Sequence, residues 1–161
     1  MWPTIAGFQA FLANVAQVPP AALPRDSPII GYAFDFALAT VNVQLAAAWA
    51  PAGGWTPFQM AVYNLGADLI INWAQDPTDE PQVYGPNKDQ PYFLALRDGY
   101  GVSEFVAGVI QSSGDQGTNQ SFVVPRQFEG LTIGQLTNLK TPFGRQYLSL
   151  TQDVGTLWGV T

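Results

Sequence analysis

The stretch that decides the fold lies in the middle of the chain, where residues 56–75 read TPFQMAVYNLGADLIINWAQ. Thr56 followed by Pro57 is a typical helix start, because a threonine side chain can accept a bond from a free amide and proline is tolerated in the first turn. Apolar residues then recur at offsets of three and four, namely Phe58, Val62, Leu65, Leu69 and Trp73. This spacing predicts a long helix over residues 57–75.

The stretch before it has the same layout. Ser27-Pro28 is a second cap-plus-proline start, and helical spacing follows at Phe34, Leu38, Val41, Leu45 and Trp49. Proline and glycine at residues 51–54 end the pattern. We therefore predict a helix over residues 28–49 that forms an antiparallel hairpin with the helix over 57–75.

Weaker patterns fill the rest of the N-terminal part. Residues 3–17 are predicted to be a first helix, with an apolar stripe of Ile5, Phe8, Leu12 and Val15. A fourth helix should begin near residues 89–91, with Gly99 and Gly101 bending or breaking it. Residues 103–111 resume a helical pattern, and residues 76–90 and 112–121 are predicted to be polar loops.

The C-terminal part is less regular. Residues 121–128 are predicted to be extended, and Thr132 could cap a short helix that ends near residue 139. Thr141-Pro142 is a further start, followed by a helix or an extended arm. The predicted fold class is thus mainly α: a bundle of about four to five helices over residues 1–120, and an extended or partly helical C-terminal arm over residues 121–161.

The composition argues against most enzyme chemistry. The chain has no cysteine and no histidine. Histidine is the commonest general base and metal ligand, and cysteine supplies thiolate sites. We therefore expect a non-enzymatic protein with no catalytic residue, no metal site and no cofactor.

The charges are few and mostly acidic. Charged residues make up 11% of the chain and the net charge is −6, while hydrophobic residues make up 47%. Tight binding to nucleic acid needs clustered basic residues, and the six here are scattered. Such a chain suits a protein that buries much of its surface against partners and that DNA can slide past without sticking.

One apolar run raises the question of a membrane. Residues 29–50 form a stretch of 22 residues with one charge, Asp35. An aspartate near the centre of a membrane span costs about 2.5–3.5 kcal/mol, and Asn42 and Gln44 also interrupt the run. We predict a buried bundle helix and no membrane association.

The acidic residues and tryptophans have ordinary structural interpretations. Asp35 and Asp68 lie within apolar helices, and we expect each at the edge of a buried face or against a neighbouring subunit. A cluster of Asp76, Asp79 and Glu80 could offer oxygen ligands to calcium, but its spacing does not fit an EF-hand loop, so a solvated loop is expected. Of the tryptophans, Trp49 and Trp73 are predicted to be core, and Trp2 and Trp158 to meet a partner.

The most distinctive run is C-terminal. Residues 139–148 read LKTPFGRQYL, and residues 155–159 read GTLWG. In this run, and in the order of its elements, the chain resembles head–tail connector (adaptor) proteins of tailed bacteriophages. The resemblance implies a virion protein of the neck, assembled in the host cytoplasm into a homo-oligomeric ring of about twelve copies. Its implied partners are the portal protein and a tail or stopper protein, with non-specific contact to the DNA that passes through.

The same resemblance points to a partner-binding C-terminal segment. Its implied interface residues are Pro142, Phe143, Arg145, Tyr147, Leu157 and Trp158. We expect residues 140–161 to contribute little to the core, the alternative being a final helix packed on the bundle. Alternative functions are a tail-completion or stopper protein, a hydrolase that uses only carboxylates, which needs a pair about 5–9.5 Å apart in a cleft, and a membrane-associated protein.

Overall fold

The computed structural model describes residues 2–47, 54–76, 90–102, 112–115, 118–121 and 133–157. These residues are mainly helical, as predicted, with six α-helices, one 3-10 helix and one two-stranded hairpin. The elements in chain order are α1 (Ile5–Asn14), α2 (Pro28–Thr40), the 3-10 helix (Val43–Ala47), α3 (Pro57–Trp73), α4 (Tyr92–Gly99), β1 (Ser112–Asp115), β2 (Thr118–Ser121), α5 (Ile133–Asn138) and α6 (Pro142–Leu157).

Helix α3 is the centre of the bundle. Every residue from Ala61 to Ile71 is buried, and a helix that is buried on all sides must be surrounded by other elements. Helices α2 and α6 cover most of α3, and α1, α4 and the 3-10 helix also contact it. The predicted helix over 57–75 is confirmed, but Trp73, predicted to be core, is exposed at the end of α3.

The threonine-proline starts behave as helix caps. At α3, Thr56 Oγ1 accepts a bond from Gln59 N at 3.1 Å, and Gln59 Oε1 accepts one from Thr56 N at 3.0 Å. This reciprocal pair is a capping box. At α6, Thr141 Oγ1 accepts a bond from Gly144 N at 3.0 Å. Both starts are confirmed, whereas Ser27 makes no side-chain bond at the start of α2.

Helix α2 is shorter than predicted. It ends at Thr40, because Val41 has an extended backbone with ψ at 131°. Asn42 Oδ1 then accepts a bond from Gln44 N at 2.9 Å, a local bond that competes with continued α-helix. A 3-10 helix follows, and it still brings Leu45 into the core. The predicted core position Trp49 lies outside the described residues.

Helix α1 confirms the first predicted helix but not all of its stripe. Phe8 and Leu12 are buried as expected, together with Phe11. Ile5 and Val15 are exposed, because Ile5 lies at the edge of the buried face in the first turn and Val15 lies beyond the last helical residue.

Helix α4 is capped at its start by a side chain and is followed by a left-handed glycine. Asp76 accepts bonds from Phe93 N at 2.7 Å and Leu94 N at 3.0 Å, so this acid caps the helix and is not a solvated loop residue. Gly101 follows the helix with φ at +66°, a left-handed conformation that favours glycine. The predicted break near residues 99–101 is confirmed, while Asp79 and Glu80 lie outside the described residues.

Residues 112–121 were predicted to be a loop, and this prediction is wrong. Strands β1 and β2 pair antiparallel, with Ser112 opposite Ser121 and Asp115 opposite Thr118. The strands read SSGD and TNQS, so they lack the alternating apolar residues from which a strand is predicted. The predicted helical pattern over 103–111 lies outside the described residues, and so do residues 122–128 of the extended stretch predicted over 121–128, whose first residue, Ser121, ends β2.

The C-terminal segment is helical and belongs to the bundle. Helix α5 confirms the short helix predicted after Thr132. Thr141 and Leu148 are buried, and Phe143, Tyr147 and Leu150 pack against the core. The expectation that this segment contributes little to the core is therefore wrong for residues 141–150, because one face of α6 covers α3. The domain boundary at residue 121 adjoins residues outside the described ones and stays a prediction.

Among the described residues, no helix is both long enough and apolar enough to cross a membrane.

Candidate functional site

Three aromatic side chains form an exposed cluster where α2 passes the end of α3. We call Tyr32, Phe36 and Trp73 the aromatic surface. Its ring centroids are 6.4 Å apart between Tyr32 and Phe36, 6.0 Å between Tyr32 and Trp73, and 6.3 Å between Phe36 and Trp73. All three side chains are exposed, by 56%, 41% and 49% respectively. They therefore contact one another but leave about half of their surface uncovered.

The sequence places two of these rings, those of Tyr32 and Phe36, on the outer side of α2. Tyr32 and Phe36 are four residues apart and share one helix face. The opposite face, with Ala33, Phe34 and Ala37, is buried against the bundle. Asp35, which lies between Tyr32 and Phe36 in the sequence, is also exposed. The outer face of α2 thus presents large apolar groups and one negative charge.

An open groove adjoins the aromatic surface. Its volume is about 410 Å³, and Trp73 forms part of its wall. The remaining wall is largely apolar and comes from the α1–α2 connection, the start of α2 and the end of α3, including Leu23, Pro24, Pro28, Ile29 and Ala74. Exposed apolar area of this kind marks protein interaction sites more often than isolated exposed residues do.

Sequence reasoning missed this surface. Trp73 was assigned to the core because it continues the stripe of α3, and Tyr32 and Phe36 were assigned to no site. The available signal was the pair of aromatic residues at positions i and i+4 outside the buried stripe of α2.

Two further tryptophans, Trp2 and Trp55, lie at the N-terminal end of α3. Trp2 is 55% exposed, and its ring centroid lies 5.0 Å from that of Phe58. Trp55 packs on Phe11 and Tyr63. Phe58 and Trp73 are separated by fifteen residues of helix, which corresponds to about 22 Å. Trp2 is exposed, as expected for a partner contact, and that contact remains a prediction.

The predicted C-terminal interface residues are distributed between the core and the surface. Phe143 lies edge-on to Phe11, with centroids 6.0 Å apart, and Tyr147 is half-buried. Pro142 is half-buried in the first turn of α6, and Arg145 is exposed and donates from Nη1 to Leu139 O at 2.9 Å. The side chain of Leu157 and all of Trp158 lie outside the described residues. Phe143 and Tyr147 thus serve the fold, and a partner contact by the set stays a prediction.

A buried carboxyl group, that of Asp68, joins α3 to α6. Asp68 is 1% exposed, and its Oδ1 accepts bonds from Thr141 Oγ1 at 2.5 Å and from Asn72 Nδ2 at 3.1 Å. Burial raises the pKa of Asp68 from 3.8 to about 6, against the lowering effects of these two bonds and of the charge of Lys140. The expectation that Asp68 lies at a helix edge or against another subunit is wrong, because α6 covers it. Asp35 is exposed.

A metal site, or chemistry by carboxylates alone, needs acidic side chains that lie close together or line a groove. Within the described part of the chain, no three His, Cys, Asp or Glu side chains come together in a way that could hold a metal ion. Neither the groove beside Trp73 nor a smaller one between α1 and the start of α2 is lined by a carboxylate. Asp68 therefore lies beneath a helix and away from both grooves.

Comparison with known proteins found no matching family model, no similar curated protein and no similar solved structure. The aromatic surface and the buried acid are thus the two features of the described residues from which a function can be inferred.

Proposed function

We propose that this chain is a non-enzymatic structural protein whose copies assemble into a ring at the head–tail junction of a tailed bacteriophage. In this proposal the ring holds about twelve copies, links the portal protein to a tail or stopper protein and lines the channel for DNA. The observation that carries the assembly role is the aromatic surface formed by Tyr32, Phe36 and Trp73. The resemblance of residues 139–148 to connector proteins supports the choice of virion over other assemblies.

The aromatic surface favours a protein partner. Each aromatic side chain buries about 150–250 Å² when it is covered, and tyrosine and tryptophan are enriched among the residues that dominate binding energy. Three such rings in contact, beside an open apolar groove, resemble the centre of an interface. We assign this surface to the contact between neighbouring copies.

The charges of the chain fit a protein that is surrounded by others. With 11% charged residues, the chain has fewer charges than the usual quarter of a soluble protein, and interface centres are depleted of charged residues. The net charge of −6 gives DNA no strong attraction to such a channel, because affinity for DNA depends on neutralising phosphates. Both properties support a channel-lining ring over a DNA-binding protein.

The helical fold favours an adaptor over a tail-completion or stopper protein, since proteins of the latter kinds are usually richer in strands. A carboxylate-only hydrolase receives no support from the described grooves, neither of which is lined by an acid.

The assembly role is tested by Trp73→Gln, with Ile5→Gln as the control. Both are exposed apolar residues, by 49% and 46%, and Ile5 lies on α1, next to Thr4, which bonds to Tyr63 of α3. We expect the wild-type protein and Ile5→Gln to sediment as the same oligomer at micromolar concentration. Trp73→Gln should dissociate at a concentration at least about tenfold higher, since losing one interface tryptophan commonly costs 2 kcal/mol or more.

Circular dichroism melting of the three proteins verifies that each is folded. A monomeric wild-type protein would contradict the assembly role, and a Trp73→Gln oligomer as stable as the control would contradict the assignment of the aromatic surface.

A further inference from the structure

Asp68 lies in the interior of the bundle, where burial makes the ionised form of an acid unfavourable. It is the only charged residue of α3, its side chain is almost completely buried, and the first turn of α6 covers it. The proposed assembly role makes no use of this carboxyl group. A buried acid in this position calls for an explanation, because burying a carboxylate is unfavourable unless its bonds compensate for lost water.

The contact between Asp68 and α6 is close and specific. Thr141 donates its hydroxyl to Asp68 and accepts from Gly144 N, so one side chain caps α6 and ties it to α3. A Cβ atom on Gly144 would lie 2.7 Å from Asp68 Oδ1 and 1.9 Å from Asn138 O. Only glycine allows this approach, because real Cβ atoms do not come so near to other atoms. The docking of α6 therefore depends directly on the space and the charge at Asp68.

We propose that Asp68 makes the docking of helix α6 on α3 sensitive to pH: the helix is held firmly when Asp68 is protonated and is loosened when Asp68 is ionised. This device is independent of what the protein assembles with. When α6 lifts away, the carboxylate regains water, so ionisation favours the undocked arrangement. Loosening would also uncover the apolar side of α6, with Phe143, Tyr147 and Leu148.

The direction of the effect follows from the two protonation equilibria. Docked Asp68 has a pKa raised by burial to about 6, whereas the ordinary value is 3.8. The docked state thus binds a proton more tightly, and docking is strongest below pH 4. It weakens as the pH rises from about 4 to 6 and is constant above that range. Each unit of difference is a factor of ten, so docking weakens by a factor on the order of 100 over the whole range.

The charged groups on the neighbouring elements do not account for this pH dependence of α6 docking. Lys140, next to Thr141, favours the ionised form of Asp68 but is outweighed by burial. Asp35 on α2 and Asp98 on α4 are exposed, and Arg145 on α6 is exposed and bonded to Leu139 O.

The remaining titratable groups on the packed elements are a guanidinium and phenols. Arg97 on α4 bonds to Ile71 O and Ala74 O at the end of α3. Burial raises the pKa of Tyr147 on α6 above its usual value of 10, and the Tyr63 phenol on α3 bonds to Thr4. Guanidinium groups and phenols ordinarily keep their charge state between pH 4 and 6. Helices α1 and α5 have no charged residue, and the side chain of Asp153 lies outside the described residues.

The experiment measures hydrogen exchange of the whole 161-residue chain at pH 4.5 and pH 7.5, with rates corrected for the intrinsic pH dependence of exchange. Amides of α6 should lose protection by about 25-fold from the lower to the higher of these two pH values, whereas those of the α3 interior should change far less. Asp68→Asn should keep α6 equally protected at both pH values. The matched control Asp35→Asn removes an exposed aspartate and should retain the wild-type pH dependence.

Gly144→Ala provides a second, steric test. The added methyl group should leave α6 unprotected at both pH values while α1 to α3 stay protected. The proposal is overturned if wild-type α6 is equally protected at both pH values, if α3 loses protection in parallel with α6, or if Asp68→Asn retains the pH dependence. The wild-type measurement decides the first two points even if a variant fails to fold.

Discussion

Replacing Thr141 by valine tests the link between the two central elements of the bundle. Valine has nearly the same shape as threonine but no hydroxyl group. The substitution removes the bond from Thr141 Oγ1 to Asp68 Oδ1 at 2.5 Å and the bond from Gly144 N to Thr141 Oγ1 at 3.0 Å. Since Thr141 is 0% exposed, water cannot readily replace either partner.

The expected loss of stability can be worked out from these two bonds. A hydrogen bond to a charged group contributes about 1.5–3 kcal/mol, and a threonine cap contributes about 1 kcal/mol. At pH 7.5, where Asp68 is ionised, Thr141→Val should therefore lower the free energy of unfolding by about 2.5–4 kcal/mol. At pH 4.5, where Asp68 is largely protonated, the first bond is between neutral groups and the loss should fall to about 1.5–2.5 kcal/mol.

Thr151→Val is the matched control on the same helix. The Thr151 hydroxyl lies 3.1 Å from both Tyr147 O and Leu148 O, which belong to its own helix. These carbonyl groups keep their backbone bonds, so the change should stay within about 0.5 kcal/mol. Urea unfolding followed by circular dichroism at both pH values measures all three proteins. A Thr141→Val loss no larger than that of Thr151→Val would refute the role given to the Asp68–Thr141 contact.

The remaining predictions concern the core and the helix caps. Phe8→Ala should cost about 3–5 kcal/mol, since Phe8 is fully buried, whereas Ile5→Ala should cost much less because Ile5 is 46% exposed; equal losses in thermal unfolding would show that α1 packs on a different face. Thr56→Ala should cost about 1 kcal/mol through loss of the capping box, and a melting temperature unchanged from wild type would count against that cap. Asp76→Ala should cost about 1–2 kcal/mol and lower the protection of α4 amides against hydrogen exchange, with unaltered protection as the opposing result.

The sequence is sufficient to predict a helix or strand where one local pattern determines that element. The start of α3 was predictable because Thr56, Pro57 and an apolar repeat all favour the same helix. The end of α2 was not, because the stripe continues to Leu45 while Asn42 begins a separate turn. The polar hairpin at residues 112–121 was missed because its strands pair through backbone bonds and have no apolar pattern.

The candidate sites needed tertiary information. Whether Trp73 is buried or exposed depends on how much of the end of α3 is covered by α2. The residues near Trp73 in the sequence do not determine that coverage. The burial of Asp68 depends on Thr141, which is 73 residues away in the chain. The expectation that residues 141–150 contribute little to the core failed for a related reason: Phe143 and Tyr147 are equally suited to an interface and to a core, and only the position of α3 decides between them.

The most direct test of the assembly role is the mass of the purified wild-type protein, measured by native mass spectrometry across a range of micromolar concentrations. The proposed ring predicts a closed oligomer with a single copy number near twelve of the 17.4 kDa chain, and no larger species as the concentration rises. A monomer at every concentration, or an open series of ever larger species, would contradict it.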